Sequence, residues 1–275
     1  MNSDAEKLVS NVINIFEQVA SGYDNPAMRF FPFCGDRIAL HLQLKRNEKV
    51  LDIAAGTGAA TVAAAQMIIP EGRVQAIDLS EKMLDKAYIN LQRAGLNNAD
   101  FYVMDASVLD FKSKYFDAAI CAFGLFFLPD MAAALKEWLR VLKPDGRLMY
   151  TSFTPKAFQP MADIFRADLE DFGVQWPEAR WLLLSTEQEN RKLLEQAGFT
   201  HLQFLQEQIG YHLNEAEDWW EVVMNSGFRG MLNQVPADRL DDFKKQHLDK
   251  VKQLKTDKGL WLDVETLFSS ARRPM

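Results

Sequence analysis

The chain has 275 residues, 48% of them apolar, enough to bury a full core. A formal net charge of −7, a pI near 5.2 and the lack of any basic run of five or more residues weigh against nucleic acid as a partner. Its two cysteines, Cys34 and Cys121, lie in apolar surroundings without a CxxC, which fits buried free thiols in a reducing compartment better than a disulfide.

The opening MNSDAEKLVSNVINIF is acidic and amphipathic and lacks a cationic signal-peptide start. No window of eighteen uncharged apolar residues occurs, so no membrane span is expected and a cytoplasmic location is. Ser3 or Asp4 caps a first helix with Leu8, Val9, Val12, Ile13 and Phe16 on its apolar face. Gly22, Asn25 and Pro26 break it, an aromatic-rich stretch comes next, and residues 36–44 read as a helix leading into the first strand.

Residues 49–58, KVLDIAAGTG, organise the rest of the chain. Val50, Leu51 and Ile53 form a buried-strand run that ends in five small residues, 54–58, ahead of a helix over 59–69. Such a turn lets a ligand approach bare backbone. Twenty residues beyond Gly58, a second apolar run ends in Asp78, where a carboxylate is placed to accept hydrogen bonds from a ribose diol. Ser80 caps the next helix, which runs to Arg93, and residues 94–98 close it. A third strand, 99–104, ends in Asp105 and Ala106. In an open parallel sheet the carboxyl ends of the strands form the crevice, so these three groups describe a nucleoside half-site. A dinucleotide fold would place a third glycine where Thr61 stands and would carry a second nucleotide half, so an NAD-dependent oxidoreductase is disfavoured.

Strand four (116–123), a loop (124–130), a helix (131–142), the turn Lys143-Pro144-Asp145-Gly146 and strand five (147–153) complete the pattern. From residue 49 to 153 the chain resembles the class I S-adenosylmethionine (SAM)-dependent methyltransferases, and most closely their UbiE-like (type 11) branch. That family's first motif is acid-x-Gly-x-Gly-x-Gly; here Asp52 is the acid and Ala54 replaces the first glycine. The resemblance implies an α/β, Rossmann-like fold: a seven-stranded, mostly parallel sheet with an antiparallel C-terminal edge hairpin and a helical cap. It implies SAM as cofactor, S-adenosylhomocysteine as product and no metal. It assigns cofactor contacts to Tyr23, Asp52, Ala54, Ala55, Gly56, Gly58, Asp78, Leu79, Met83, Asp105, Ala106, Ala122 and Phe123. Tyr23, in a Tyr-Asp pair upstream of the motif, would close over the methionine end, Met83 would lie against the flat ring, and Asp105 would accept from the adenine amino group. As one domain overall, residues 1–45 form a helical segment over the cofactor, 46–155 the SAM-binding core, and 156–275 the rest of the sheet with a helical substrate cap.

Beyond Phe153 the resemblance weakens. Helices are expected over 158–172, 186–198, 215–232 and 236–255, and strands over 199–213 and 259–270. In many relatives the loop after strand four carries histidines; this chain has Phe126 and Phe127 there, which removes a base from that loop and makes the wall aromatic. With Phe153, Trp219, Trp220 and Phe228 they outline an apolar acceptor pocket. The four histidines lack metal-ligand spacing. No catalytic residue is assigned; His212 and Tyr23 are the candidates. Methyl transfer needs a base only if the nucleophile must lose a proton. The reading is a SAM-dependent methyltransferase acting at carbon or oxygen of a small apolar or aromatic, quinone- or phenol-like metabolite. The alternatives are an enzyme that uses the sulfonium for other chemistry, or a non-catalytic SAM-binding scaffold, which would have no need of Gly56, Gly58, Asp78 and Asp105. The partner is a small-molecule methyl acceptor, and the oligomeric state is left open.

Overall fold

A computed structural model of the chain describes residues 3–175 and 180–275. The chain begins with α1 (Ser3–Val19) and, after a short turn at Pro26–Met28, α2 (Phe30–His41). Next come β1 (Lys49–Ile53), α3 (Ala59–Ile68), β2 (Arg73–Asp78), α4 (Glu81–Arg93), β3 (Ala99–Val103), β4 (Phe116–Cys121), α5 (Met131–Val141) and β5 (Leu142–Phe153). The remainder is α6 (Met161–Asp171), α7 (Glu187–Ala197), β6 (Thr200–Gln208), β7 (Tyr211–Leu213), α8 (Ala216–Asn225), α9 (Arg229–Leu232), α10 (Leu240–Lys252), β8 (Leu260–Leu262) and β9 (Glu265–Arg272).

Seven strands form one sheet in the order β3-β2-β1-β4-β5-β9-β6. The first five run parallel, and β9 lies antiparallel between β5 and β6. This is the mostly parallel sheet with an antiparallel edge that the resemblance implied. Strand β1 sits between β2 and β4, so the connections leave it in opposite directions and a crevice opens at its carboxyl end. Val50, Leu51 and Ile53 are fully buried there, as expected of a strand covered on both faces. Alanine-rich α3 lets α2 come close: a Cβ at Gly35 would lie 2.8 Å from the carbonyl oxygen of Ala59.

Several element limits differ from those read in the sequence. Helix α2 begins at Phe30 rather than 36, because Phe30, Cys34 and Ile38 repeat every fourth residue and all are buried. Residues 143–146 stay in β5 as an irregularity in its pairing with β4, with Asp145 at φ 59°. The strand expected over 199–213 is two: β7 leaves the main sheet and pairs with β8 in a separate ribbon. The helices expected over 215–232 and 236–255 are interrupted at 226–228 and begin late, at Leu240. The 186–198 helix agrees well: Thr186 and Glu189 form a capping box and Gly198 closes it at φ 93°.

The residues inserted between β6 and β9 are held partly by a buried polar chain. The Trp219 indole donates to His247 Nε2 at 2.8 Å. That fixes the tautomer, so Nδ1–H donates to Asp168 Oδ2 at 2.7 Å. Lys250 reaches the other Asp168 oxygen. Burial pushes the Asp168 carboxyl up, but hydrogen bonds from His247 and Lys250 outweigh it and hold the pKa below the usual carboxylate value. Replacing Asp168 with Ala leaves the His247 N–H unpaired inside the protein and is expected to cost about 3 kcal/mol in urea unfolding at pH 7. Because the folded pKa is depressed, this contribution is present above the unfolded value of about 4 and fades as pH falls through the folded value. A gap between wild type and Asp168→Ala that stays constant down to pH 2 would contradict it.

Candidate active site

At the end of β1 the chain turns through residues 54–58 into α3. Ala54 and Gly56 both take φ 54°. The left-handed region costs a non-glycine residue roughly 1–2 kcal/mol. Ala54 thus keeps the backbone shape of the glycine it replaces. Its methyl group is accommodated by Gly124 on the facing loop, where a Cβ would approach Ala54 Cβ to 2.6 Å and Cys121 Sγ to 2.8 Å.

Asp78, at the end of β2, faces this turn. Its Oδ2 accepts from Gly56 N at 2.8 Å and its Oδ1 from Ser80 N at 2.9 Å. Both oxygens are oriented by backbone and keep lone pairs for a ligand. Burial raises the Asp78 pKa, against the lowering effect of those backbone bonds. Ser80 caps α4 by accepting from Met83 N, and donates to Glu17 Oε1 of α1 at 2.6 Å. At the end of β3, Asp105 Oδ1 accepts from Ser107 N at 2.8 Å and Ser107 Oγ at 2.6 Å, leaving Oδ2 for a ligand.

Asp52 lies fully buried within β1, directly ahead of the turn. Thr61 Oγ1 donates to its Oδ2 at 2.5 Å, and its Oδ1 has no partner. Burial pushes this carboxyl up to about 7, eased by the Thr61 bond and reinforced by the charge of Asp78.

A cavity of about 90 Å³ opens between the turn, Asp78 and Asp105. Of the residues expected at the cofactor, Tyr23, Ala54, Gly56, Asp78, Leu79, Asp105, Ala106, Ala122 and Phe123 line it. Asp52, Ala55, Gly58 and Met83 do not; Met83 packs instead with Val19 and Ala20 beneath Phe16 and Tyr23. Tyr23 stacks on Phe31 at 4.6 Å between ring centroids. Burial and the charges of Asp78 and Asp24 raise its pKa, so it keeps its proton near neutral pH and is a poor base.

Of the expected acceptor wall, only Phe127 lines the cavity. Phe126 is buried, and Phe153 stacks flat on Phe123 at 4.1 Å, which makes it a support for the wall. Trp219, Trp220 and Phe228 turn toward α6 and α10, where Trp220 meets Phe243 at 6.2 Å and Phe228 meets Phe165 at 5.7 Å. His212 packs on Trp261 in the β7–β8 ribbon and is absent from the cavity wall. Arg29 donates to the His212 carbonyl at 3.0 Å and lies over the Tyr211 ring, so it is engaged away from any ligand carboxylate.

The wall also holds residues that the sequence did not single out for it. Val9, Val12 and Phe16 come from α1, Met104 from the end of β3, and Gly124, Leu128 and Pro129 from the loop after β4. Arg180 fixes that loop by donating to the carbonyls of Phe126 at 3.1 Å and Leu128 at 2.8 Å. The sequence signal for α1 was its apolar stripe, which reads the same whether it covers core or cavity. Among the described residues no group of three His, Cys, Asp or Glu side chains is arranged to hold a metal ion, and no helix is long and apolar enough to cross a membrane.

The small-residue turn, the aligned Asp78 carboxylate and the free Asp105 oxygen suit a nucleoside. The cavity is small beside the roughly 300–1,000 Å³ of ligand pockets. Val9, Val12 and Phe16 of α1 are half-buried, as is Phe127, and Pro129 is exposed.

Residues 2–215 match the model of the ubiE/COQ5 methyltransferase family. Aklanonic acid methyltransferase DauC of Streptomyces sp. (strain C5) is 34% identical over 178 residues, covering 61% of this chain and 80% of that protein. The ubiquinone/menaquinone biosynthesis C-methyltransferase UbiE of Proteus mirabilis (strain HI4320) is 32% identical over 169 residues, covering 60% of this chain and 67% of its own. The solved structure of a SAM-dependent methyltransferase from Aquifex aeolicus shares the fold at a TM-score of 0.57 and 17% identity, over 92% of this chain and 96% of that one.

The raised pKa of Asp52 makes a stability prediction. In the folded state this carboxyl stays protonated to about pH 7, whereas in the unfolded chain it ionises near pH 4. The folded state therefore binds the extra proton between these values, and stability falls as pH rises across that window. Asp52→Asn removes the effect. It is expected to raise Tm by about 3–6 °C at pH 8, with the gain vanishing toward pH 4. Calorimetric scans with the same increment at both pH values would contradict this.

Proposed function

The chain belongs to the ubiE/COQ5 methyltransferase family and is a SAM-dependent methyltransferase, and from that premise we propose that its acceptor is a small apolar or aromatic, quinone- or phenol-like metabolite, methylated at carbon or oxygen. The observation that carries this is the composition of the cavity: acids at the ends of β2 and β3 face a wall of Val9, Val12, Phe16, Phe127, Leu128 and Pro129. The names of the two relatives, one acting on aklanonic acid and one in ubiquinone and menaquinone synthesis, support a quinone-related acceptor.

In this reading Asp78 accepts from the ribose hydroxyls, Asp105 Oδ2 accepts from the adenine amino group, and the turn at residues 54–58 passes the methionine arm. Asp52, buried within β1, does not line the cavity and holds its proton to about pH 7, so it is given no contact with the cationic end. When bound, SAM supplies an electrophilic methyl group on a sulfonium. The protein's own work is alignment and exclusion of water: Phe127, Leu128 and Pro129 close the acceptor side, and Tyr23 covers the turn. Neither candidate base serves well, since Tyr23 holds its proton and His212 lies outside the wall. The acceptor wall thus positions and dehydrates rather than deprotonates. Relatives named as methyltransferases weigh against other sulfonium chemistry and against a scaffold. The buried free thiols of Cys34 and Cys121 fit a reducing, cytoplasmic setting.

Native mass spectrometry with added SAM, followed by a screen of phenols and quinols for release of S-adenosylhomocysteine, tests the reading. An adduct with SAM or its demethylated product and turnover on such an acceptor support it; no adduct overturns the cofactor site. Asp78→Ala is expected to weaken SAM binding about 100-fold on titration calorimetry, by removing a charge-assisted bond to the ribose and releasing the Gly56 and Ser80 amides. Unchanged affinity would remove Asp78 from the site. Phe127→His should keep SAM affinity within about twofold while changing acceptor turnover. A loss of cofactor binding instead would place the loop against the nucleoside.

A further inference from the structure

Two surfaces compete to receive the acceptor, and their side chains point in different directions. The cap surface is spent on itself. Trp219 is fully buried with its indole N–H on His247, and its ring lies 5.5 Å from that of Phe228. The α1 surface faces the cavity. Val9, Val12 and Phe16, at spacings of three and four, line one stripe of the helix and all three border the cavity.

Phe16 occupies the middle of this arrangement. Its ring meets the edge of Phe127 at 5.2 Å and 84°, and that of Tyr23 at 6.1 Å and 69°. It therefore bridges the loop after β4 and the tyrosine beside the turn. The next residue, Glu17, accepts from Ser80 Oγ at 2.6 Å and from Lys82 N at 3.2 Å, which hangs this end of α1 from the start of α4, two residues past Asp78. Val19 and Ala20 are buried with Met83 at the same place. The C-terminal end of α1 is thus anchored beside the ribose-binding carboxylate, while Phe16 projects from the anchored turn into the space between the turn at 54–58 and Phe127.

We propose that Phe16 is the residue that sets the size of the acceptor ring. The inference rests on the methyltransferase reading above and moves the specificity wall from the C-terminal cap to α1. An entering ring takes the place of the Phe16–Phe127 contact, and the volume released by Phe16 decides how many fused rings fit. Dispersion contacts make this discrimination steep, because each ring either finds close neighbours or collides with them.

The test uses the full chain loaded with S-adenosylhomocysteine and three probes of increasing size: phenol, 1-naphthol and 9-phenanthrol. Dissociation constants are measured by calorimetry for the unaltered protein, Phe16→Ala, Phe16→Leu and the cap variant Trp220→Phe. Phe16→Ala is expected to shift the ratio of 1-naphthol to 9-phenanthrol affinity at least about tenfold toward the three-ring probe. Phe16→Leu, which keeps an apolar anchor should the alanine variant fold poorly, shifts it the same way by less. Both keep the affinity for S-adenosylhomocysteine within about twofold, and Trp220→Phe leaves the ratio in place. An unchanged ratio in both Phe16 variants, or an equal shift from Trp220→Phe, overturns the proposal. Failure of the unaltered protein to bind S-adenosylhomocysteine is a different outcome: it overturns the methyltransferase reading, and this inference falls with it.

Discussion

The carboxylate of Asp78 is the point on which the site depends. Its two oxygens take the backbone N–H groups of Gly56 and Ser80, so one side chain ties the turn after β1, the end of β2 and the cap of α4. Hydrogen bonds to a charged group are worth roughly 1.5–3 kcal/mol each, enough to hold a turn with three positive-φ residues in a single shape. The same charge acts on Asp52, whose pKa it helps to raise. Burial raises the pKa of both acids, which stand on adjacent strands. One is fixed by backbone donors at the cavity; the other, buried with one oxygen unpaired, keeps a proton to about pH 7.

Strain collects on the other side of the crevice as well. Phe123 has φ 53°, a left-handed conformation that a bulky residue keeps only when its surroundings over-determine it. Here Phe123 N donates to Thr151 Oγ1 at 3.1 Å, and the ring stacks on Phe153 at 6°. Phe153, read as acceptor wall, is a buttress for the residue that does line the cavity. Ala54 and Phe123 thus face each other as the strained ends of β1 and β4, at the place where the strand order reverses. The Ala54 methyl and the missing Cβ of Gly124 are complementary, so the alanine in the motif and the glycine in the loop form a single packing solution.

This explains which parts of the molecule could be read from the chain alone. The end of the parallel sheet where the cavity lies emerges from local signals: a continuous apolar strand, small residues at its end and acids at the tips of the next two. The seven-strand count and the antiparallel edge came with the family resemblance. The limits of α2 were blurred because phenylalanines read as loop decoration until Phe30, Cys34 and Ile38 are seen to share a face. The fate of Trp219 was out of reach. Its indole is satisfied by His247, 28 residues away, which is oriented in turn by Asp168, 79 residues from it. Nothing in the spacing of a lone histidine announces a partner that only tertiary packing supplies. Large aromatics in an inserted segment read equally well as pocket wall or as that segment's own core, and the polar chain decides for the core.

The side chains through which α1 takes part were less legible: the resemblance placed residues 1–45 over the cofactor without naming which residues of α1 line the cavity. An apolar stripe specifies that a surface is covered, and says nothing of what lies beneath it. Val9, Val12 and Phe16 are left half-buried over a cavity of about 90 Å³, while β1 and β4 below are mostly buried. Opening α1 therefore sacrifices little packed surface, whereas opening any strand end would break the sheet. Its anchor at Glu17 and Ser80 sits beside Asp78 and its stripe beside Phe127. A single helix thus borders the cavity from the Asp78 side to the loop that carries Phe127.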